Sequence, residues 1–245
     1  MKSLQKISLI IDCFSIEQPR LGLQAIADRT GLPKTTAHRL LAGLRDAGLI
    51  VQDDNRDDYR LGLRFVPLSG IVLSDLDVPK HARRPAATLM NQSGEAVHIC
   101  VFDGQNVVSI DRHEMANDSN EIIRLEREPA YCTGTGKAVM AALTDDKVCD
   151  ILPERMEAYT ETTITDRDAL LQDLAAIRRR GYSFDNEERQ PGIRCIGAAI
   201  LNRRQVVGAI SVTGPKDRLP QSRLPVLAGL VMATAARISA AIENA

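Results

Sequence analysis

The 245-residue sequence predicts an α+β protein in which a winged helix-turn-helix precedes a linker helix and a second domain with an antiparallel sheet. Three observations support this prediction. Two short amphipathic helices separated by a tight turn occupy residues 21–50, and two short strand patterns follow them. From residue 80 onward, apolar strand runs alternate with helical patterns around a strong hairpin signal, which is typical of an α+β domain.

The helix pair starts with a helix whose apolar residues Leu23, Ile26 and Ala27 recur at helical spacing. Gly31 follows it and accepts the left-handed conformation that ends many helices, and Pro33 is tolerated at the first position of the next helix. The predicted core stripe of this second helix is Ala37, Leu40, Leu41 and Leu44. An earlier helix, predicted to pack behind the pair, carries Leu4, Ile7, Ile10, Ile11 and Phe14.

The outward face of the second helix carries basic and hydroxyl side chains. A short helix that is apolar inward and has Lys, Thr and Arg outward is what reading of the DNA major groove requires. An ordinary helical hairpin with a solvated charged face is the alternative, because short motifs give many false positives. The predicted DNA-contacting residues are Lys34, Thr35, Thr36, His38 and Arg39 from this helix and Arg56 from the loop after it.

A two-stranded wing is predicted after the helix pair. Residues 49–51 and 59–61 read as strands on either side of the polar loop 52–58, and this order of elements favours the winged form of the motif. The wing tip is acidic, with Asp53, Asp54, Asp57 and Asp58. Because acidic side chains repel phosphate, we expect only Arg56 or Arg60 to contact DNA from the wing. Residues 1–64 carry a net charge of only +2, from ten basic and eight acidic side chains.

The composition is that of an ordinary soluble protein, with 44% hydrophobic and 26% charged residues and a net charge of −1. Nucleic-acid affinity would therefore come from a local patch. Five cysteines without a CxxC pair indicate reduced thiols, which places the protein in the cytoplasm. No run is expected to span a membrane. Trp is absent and aromatic residues make up 3%, which disfavours stacking on single-stranded nucleic acid.

The remaining chain divides into a predicted linker helix and a C-terminal domain. The predicted domains are 1–64, 65–79 and 80–245, and the linker helix covers 65–78 with Pro79 closing it. Asp103-Gly104 predicts a type I′ turn between strands 95–102 and 105–111. The other predicted strands are 121–127, 182–185, 192–201 and 206–213, and the other predicted helices are 81–92, 135–143, 145–152, the helix capped by Thr165, and 222–244.

Four segments in the same order resemble the IclR family of bacterial transcriptional regulators. They are LPKTTAHRLL (32–41), YCTGTGKAVMAAL (131–143), GYSFDNEERQPGIRCIGAAI (181–200) and ISVTGP (210–215). The third segment places Asp185, the pair Glu187-Glu188, Gly192 and Cys195 where the family pattern has these residue types. The resemblance implies a GAF-like C-terminal domain that binds a small effector, and dimers or tetramers on a palindromic operator.

The resemblance also implies which residues line the effector pocket. They are Gly134 and Thr135 through their backbone, and Asp185, Cys195, Ser211 and Thr213 through their side chains. Unpaired N–H groups at the helix start near residue 136 attract an anion such as a carboxylate. Ser211 and Thr213 are two residues apart on a strand and therefore face the same side. Alternatively, these small polar residues are ordinary members of a core.

Other chemistries fit the residues less well. The segment around Lys137 lacks the further glycine and the Ser/Thr of a phosphate-binding loop. Glu187 and Glu188 have no nucleophile arrangement beside them and read as a charged turn. The histidines show no metal spacing beyond His98 and Cys100, which we read as cross-strand packing. We therefore predict no metal, no cofactor and no catalytic residue.

The predicted function is a DNA-binding transcriptional regulator, by resemblance a repressor, whose binding to double-stranded operator DNA is controlled by a small carboxylate-bearing metabolite. Two alternatives remain at this stage. The first is that the chain is a small-molecule-binding module that acts through protein partners, and the acidic wing keeps this alternative open. The second alternative is an enzyme that acts on a small carboxylate through Cys195 and Asp185. The apolar surroundings of Cys195 argue against it.

Overall fold

The computed structural model describes residues 2–53, 58–114 and 125–245. The chain forms two compact units that meet in sequence between Asp75 and Leu76. Each unit has its own sheet, so the predicted α+β class with an N-terminal helix-turn-helix is confirmed.

The N-terminal unit is a winged helix-turn-helix. Its elements are α1 (Ser3–Ile11), β1 (Leu21–Gly22), α2 (Leu23–Thr30), α3 (Lys34–Asp46), β2 (Ile50–Gln52), β3 (Asp58–Leu61) and α4 (Phe65–Asp75). The sheet order is β1-β3-β2, and the pairing of Leu21 with Tyr59 adds a third strand that the sequence analysis did not predict. A two-residue strand has too few side chains to show an alternating pattern.

The core of this unit forms where the helical spacing predicts it. Its buried residues are Ile10, Leu21, Ile26, Ala27, Leu32, Ala37, Leu41, Leu44, Ile50 and Tyr59. Gly31 has a left-handed backbone with φ of 64°, as expected for the end of α2. Two expectations were wrong in detail. Leu4 is 80% exposed, because α1 is amphipathic and turns this residue outward, and Pro33 is the N-cap of α3 and not its first residue.

The C-terminal unit is built on a six-stranded antiparallel sheet with strand order β6-β5-β4-β9-β8-β7. Its helices are α5 (Asp77–Ser93), α6 (Gly134–Ala141), α7 (Asp145–Ile151), α8 (Arg167–Arg180) and α9 (Leu224–Glu243). Its strands are β4 (Ala96–Phe102), β5 (Asn106–His113), β6 (Arg127–Pro129), β7 (Ser183–Asn186), β8 (Ile193–Asn202) and β9 (Gln205–Pro215). Helix α6 packs on β7, β8 and β9, whereas α5 and α9 pack on each other and on the sheet.

The predicted linker helix over 65–78 is two helices. Helix α4 ends at Asp75, and Leu76 has an extended backbone and is the N-cap of α5. Pro79 therefore lies in the first turn of α5 and does not close the preceding helix. Backbone N–H groups in the first turn of a helix have no partner inside the helix, so a proline there costs no helical hydrogen bond.

One of the two hairpin turns of the sheet differs from the sequence prediction. At the β4–β5 turn Gly104 has a positive φ, of 99°, and Asp103 does not, so the predicted type I′ turn at Asp103-Gly104 is wrong. The Asp103 carboxylate accepts the N–H groups of Gln105 and Asn106 instead. At the β8–β9 turn Arg203 and Arg204 have φ of 48° and 68°.

Several predicted boundaries also move. Helix α6 starts at Gly134, with the Thr133 hydroxyl accepting the N–H of Gly136 at 3.1 Å, so the predicted start near residue 136 was too late. The N-cap of α8 is Asp166 and not Thr165, because the Asp166 carboxylate accepts the N–H of Ala169. Part of the strand predicted over 121–127, residues 121–124, lies outside the described residues.

One helix contradicts the expectation that no run is long enough for a membrane span. Gln221–Glu243 is long and apolar enough by length and composition alone. Its helical part α9 packs against α5 and the sheet, as the core helix of a folded domain does. The buried residues of α9 are Leu227, Ala228, Val231, Thr234, Ala235, Ile238 and Ile242.

Candidate DNA-binding and effector-binding sites

The outer face of α3 presents the predicted DNA-contacting side chains together. Lys34, Thr35, His38 and Arg39 are exposed and Thr36 is half-buried. The opposite face is anchored in the core by Ala37, Leu41 and Leu44. Among the described residues, the structure shows no side-chain hydrogen bond or ion pair for Lys34 or Arg39, so both are available to a phosphate or a base edge.

One of the four acidic residues of the wing is paired within its own unit. Asp53 forms ion pairs with Arg20 and Arg60, so its charge is balanced within the domain. Arg60, one of the two expected wing contacts, is therefore engaged by Asp53 at 3.3 Å. The other expected contact, Arg56, lies outside the described residues together with Asp54 and Asp57.

Three of the predicted effector-binding side chains form one row across the sheet. Asp185 on β7 is directly opposite Cys195 on β8, which is directly opposite Thr213 on β9. Directly opposed residues of antiparallel strands point to the same face. The Thr213 hydroxyl also donates a hydrogen bond to the Cys195 sulfur at 3.1 Å. The structure thus brings together residues that are 28 positions apart at their extremes.

A second row lies beside the first and contains the fourth predicted side chain. Ser211 on β9 is directly opposite Gly197 on β8 and His98 on β4. The Ser211 side chain is fully buried, and apart from its interaction with the Cys195 thiol its hydroxyl oxygen has no hydrogen-bond partner within the described part of the chain. His98 was missed as a site residue, because its spacing to Cys100 indicated only cross-strand packing.

The start of α6 rests directly on this face of the sheet. A Cβ atom on Gly134 would lie 2.5 Å from the Cys195 sulfur, and one on Gly197 would lie 2.6 Å from the Gly134 carbonyl oxygen. Only glycine at both positions allows this approach. Thr133 satisfies the N–H of Gly136, while the structure shows no hydrogen bond for the N–H groups of Gly134 and Thr135 among the described residues. The N–H groups of Gly134 and Thr135 are therefore the ones that remain for the predicted anion site.

Asp185 is buried and held by the turn that follows it. Its carboxylate accepts the N–H of Glu188 at 2.7 Å. Burial, together with the charge of Glu188, raises the pKa of Asp185 to about 7, against the lowering effect of the backbone N–H groups and Lys137. At neutral pH this carboxyl group is therefore divided between its neutral and charged forms.

Lys137, which the sequence analysis excluded as a phosphate-loop lysine, joins α6 to the segment around Asp185 through buried hydrogen bonds. Its side chain is 1% exposed and its ammonium group donates to Asp173, the Phe184 carbonyl and Glu188 at 2.9, 2.9 and 2.5 Å. Burial lowers the pKa of Lys137, but Glu188 and Asp173 outweigh this and raise it above its ordinary value. The signal in the sequence was a single lysine within an otherwise small and apolar helix.

The thiols of the site are not nucleophiles. Burial raises the pKa of Cys100, Cys132 and Cys195 to about 12 in each case, so all three are protonated at neutral pH. Within the described ranges, no group of His, Cys, Asp and Glu side chains has the geometry of a metal site. The arrangement suits reversible binding of a small polar molecule.

Comparison with known proteins identifies both units. The IclR helix-turn-helix domain matches residues 3–54, and the C-terminal domain of the bacterial transcriptional regulator IclR matches residues 70–240. The HTH-type transcriptional regulator BhcR of Paracoccus denitrificans is 31% identical over 98% of this chain and 86% of its own length. The transcriptional repressor IclR of Escherichia coli is 28% identical over 98% of this chain and 90% of its own length.

Solved structures share the fold. An IclR family transcriptional regulator from Brucella abortus superposes with a TM-score of 0.82 at 22% identity, over 98% of this chain and 92% of that one. An IclR homologue from Microbacterium hydrocarbonoxydans, crystallised with 4-hydroxybenzoate, superposes with a TM-score of 0.78 at 19% identity, over all of both chains. With a DNA-binding helix-turn-helix domain and a C-terminal effector domain, the chain belongs to the IclR family of bacterial transcriptional regulators.

Proposed function

We propose that the chain is a cytoplasmic repressor that binds a palindromic operator as a dimer or tetramer and releases it when a small carboxylate-bearing metabolite binds the C-terminal domain. The observation that carries this proposal is the combination of the buried Ser211 hydroxyl without a partner other than the Cys195 thiol and the two N–H groups at the start of α6. Buried polar groups are normally paired, so a site with several such groups favours a ligand of matching polarity.

The carboxylate of the effector is proposed to lie at the N-terminus of α6. The N–H groups of Gly134 and Thr135 and the positive end of the helix dipole both favour an anion there. Thr213 then donates to a carboxylate oxygen in place of its bond to the Cys195 sulfur, Ser211 donates to an oxygen farther along the effector, and the protonated thiol of Cys195 forms a small apolar wall. The homologue that holds 4-hydroxybenzoate, itself a carboxylate, is consistent with this class of ligand.

Asp185 is proposed to bind the part of the effector away from the carboxylate. A charged Asp185 accepts from a hydroxyl or a protonated group, and with its pKa raised to about 7 its neutral form can also donate to an oxygen. The repulsion between two carboxylates is therefore weaker than the sequence alone suggested. Asp185 is thus expected to contribute to affinity in either protonation state.

A role purely through protein partners is weakened at one of the four wing acids that kept it open, because Asp53 is balanced by Arg20 and Arg60. An enzyme that uses Cys195 as a nucleophile is disfavoured by the raised pKa of that thiol. The relatives are regulators, so we propose no catalytic residue, cofactor or metal.

The test is a titration of operator release, using DNA upstream of the protein's own gene and a panel of small organic acids. Asp185→Ala is expected to abolish release while binding of the ligand-free protein to DNA survives, because a ligand shifts the equilibrium only through its own contacts with the two states. Asp168→Ala, an exposed acid on α8, is the matched control and should respond as the wild type does. Release from Asp185→Ala at the wild-type effector concentration would show that the pocket is placed wrongly.

A further inference from the structure

The row that contains Ser211 holds a second buried polar atom without a partner. His98 on β4 is directly opposite Ser211 on β9, so both side chains point to the face that α6 covers at its start. The His98 Nε2 and the Ser211 hydroxyl oxygen are both buried and, apart from the Cys195 thiol beside Ser211, have no hydrogen-bond partner in the part of the chain that the structure describes. Two neighbouring buried polar atoms without partners favour a polar ligand more strongly than a single such atom does.

The neighbours of this pair on the same face offer it no hydrogen-bond partner. Gly197, on the other side of Ser211, has no side chain to offer it a partner. Ser183 on the same row is satisfied, because its hydroxyl donates to the carbonyl oxygens of Gly134 and Gly197 at 2.5 and 3.2 Å. Thr213 is likewise satisfied by the Cys195 sulfur. His98 and Ser211 are therefore set apart from the other polar residues of this face.

The charge state of His98 limits what it can bind. Burial and the positive charge of Arg112, its neighbour on β5, lower the pKa of His98 to about 4. The imidazole is neutral at physiological pH, so one nitrogen donates and the other accepts. A neutral imidazole beside a hydroxyl suits a hydroxyl or carbonyl group, which can donate, accept or do both.

We propose that His98 and Ser211 form a second subsite of the effector pocket and that the effector is bifunctional, with a hydroxyl or carbonyl group remote from its carboxylate. This proposal rests on the proposed function, which places the carboxylate at Gly134 and Thr135. Gly134 lies over Cys195 on β8, and His98 lies on β4, two strands away in the sheet. Two strand spacings are roughly 10 Å, so the two polar groups of the effector are separated by several atoms.

The test compares matched acids that differ only in the remote group. Straight-chain carboxylates from acetate to hexanoate are paired with their terminally hydroxylated forms, and benzoate with its 3- and 4-hydroxy derivatives. Binding to the full-length protein is measured by calorimetry. In the wild type, at least one hydroxylated acid should bind about tenfold more tightly than its parent, a difference of about 1.4 kcal/mol.

Three variants assign this preference to the subsite. His98→Leu and Ser211→Ala should each reduce the preference to about twofold or less, whereas His98→Gln, which can still donate and accept, should keep most of it. Ser211→Ala removes one atom from the core, so it reports on the subsite even if His98→Leu does not fold. His81→Leu on α5 is the matched control and should keep the full preference.

The outcomes separate this proposal from the one on which it rests. If acids bind but the wild type does not distinguish the hydroxylated forms, or if His98→Leu and Ser211→Ala keep the preference, the second subsite is refuted while the carboxylate site stands. If no acid of either series binds the wild type, the carboxylate site is refuted and the subsite with it.

Discussion

At the scale of single residues, the buried charge of Lys137 links three segments of the C-terminal unit. The ammonium group of Lys137 joins α6 to Asp173 on α8 and to Glu188 in the turn after β7. Glu188 in turn donates its backbone N–H to Asp185. Removing one partner of a buried ion pair leaves the other charge uncompensated, so this network holds the helix start and Asp185 in one geometry.

The raised pKa of Asp185 predicts a specific pH dependence of stability. Its pKa of about 7 in the folded state exceeds the value of 3.8 expected in the unfolded chain. Between these values the folded state binds more protons than the unfolded state, so the contribution of Asp185 to stability falls as the pH rises. Asp185→Asn removes this contribution, and the variant should therefore gain stability relative to the wild type between pH 5 and pH 8.

The measurement is urea unfolding of both proteins at several pH values. The difference in the free energy of unfolding between variant and wild type should grow towards alkaline pH and level off above the folded pKa. Lys137, Glu188, Cys132 and Cys195 surround Asp185 and are present in both proteins, so their titration largely cancels. A difference that is constant with pH would contradict the assigned pKa.

At the scale of elements, the proposed effector pocket depends on the close contact between α6 and β8. Gly134 and Gly197 bring the helix start onto the strand, and the Ser183 hydroxyl bonds to the Gly134 carbonyl. The first N–H groups of α6 are thereby held over the row formed by Asp185, Cys195 and Thr213. The proposed anion site therefore depends on this packing and not on the helix alone.

Gly134→Ala tests this packing. The added Cβ would lie 2.5 Å from the Cys195 sulfur, so the helix start has to shift. We expect a loss of about 1–3 kcal/mol in the free energy of unfolding and loss of effector binding. Cys195→Ala in the same chain removes the clashing sulfur and should recover part of the stability.

Gly229→Ala on α9 is the matched control, since a Cβ there meets nothing within 4 Å and an alanine in a helix is slightly stabilising. Both proteins are compared by urea unfolding and by effector calorimetry. Equal stability of Gly134→Ala and the wild type would show that α6 does not rest on β8 as closely as described.

The outer face of α3 carries a second prediction at this scale. Arg39 is exposed and is expected to contact operator DNA, so Arg39→Ala should weaken specific binding by about 1–3 kcal/mol if it reads a base. If it contacts a phosphate, the dependence of binding on salt should become weaker instead. Gel shifts at several salt concentrations distinguish the two roles, and unchanged affinity with an unchanged salt slope would remove Arg39 from the interface.

At the scale of the whole molecule, α4 presents an apolar face that its own unit leaves exposed. Val66 is 65% exposed and Ile71 is 66% exposed, and Leu68 and Val72 on the same helix are also exposed. A palindromic operator requires two recognition helices, so a second copy of the chain is the partner that the proposed function implies. We expect α4 to contribute to a dimer.

Light scattering at micromolar concentration should therefore show a dimer or larger. Val66→Glu combined with Ile71→Glu should shift the mass towards a monomer and weaken operator binding, because charges at the core of an interface are unfavourable. Val226→Glu on α9, where the valine is 68% exposed, is the control for an added surface charge. A wild-type monomer would contradict the assignment of α4.

Local sequence patterns were sufficient for most of the elements and for the outward face of α3. The spacing of Ile26, Ala37, Leu41 and Leu44 predicts the core of the helix-turn-helix, and the same period places Lys34 and Arg39 on its outer face. These predictions succeed because helical periodicity and caps act over a few residues. Where such local signals compete, as at Leu76 and Asp103, the sequence alone assigned the wrong boundary or turn.

The pocket itself was decided by tertiary structure. The pairing of His98 with Ser211 joins positions 113 residues apart, and Lys137 meets Glu188 across 51 residues. Strand register between such distant segments depends on how the whole sheet packs, and the burial of a lysine depends on the carboxylates that the fold brings to it. The family resemblance implied that Asp185, Cys195, Ser211 and Thr213 line one pocket, but only the three-dimensional packing puts Ser211 opposite the neutral imidazole of His98 and Cys195 beneath the start of α6.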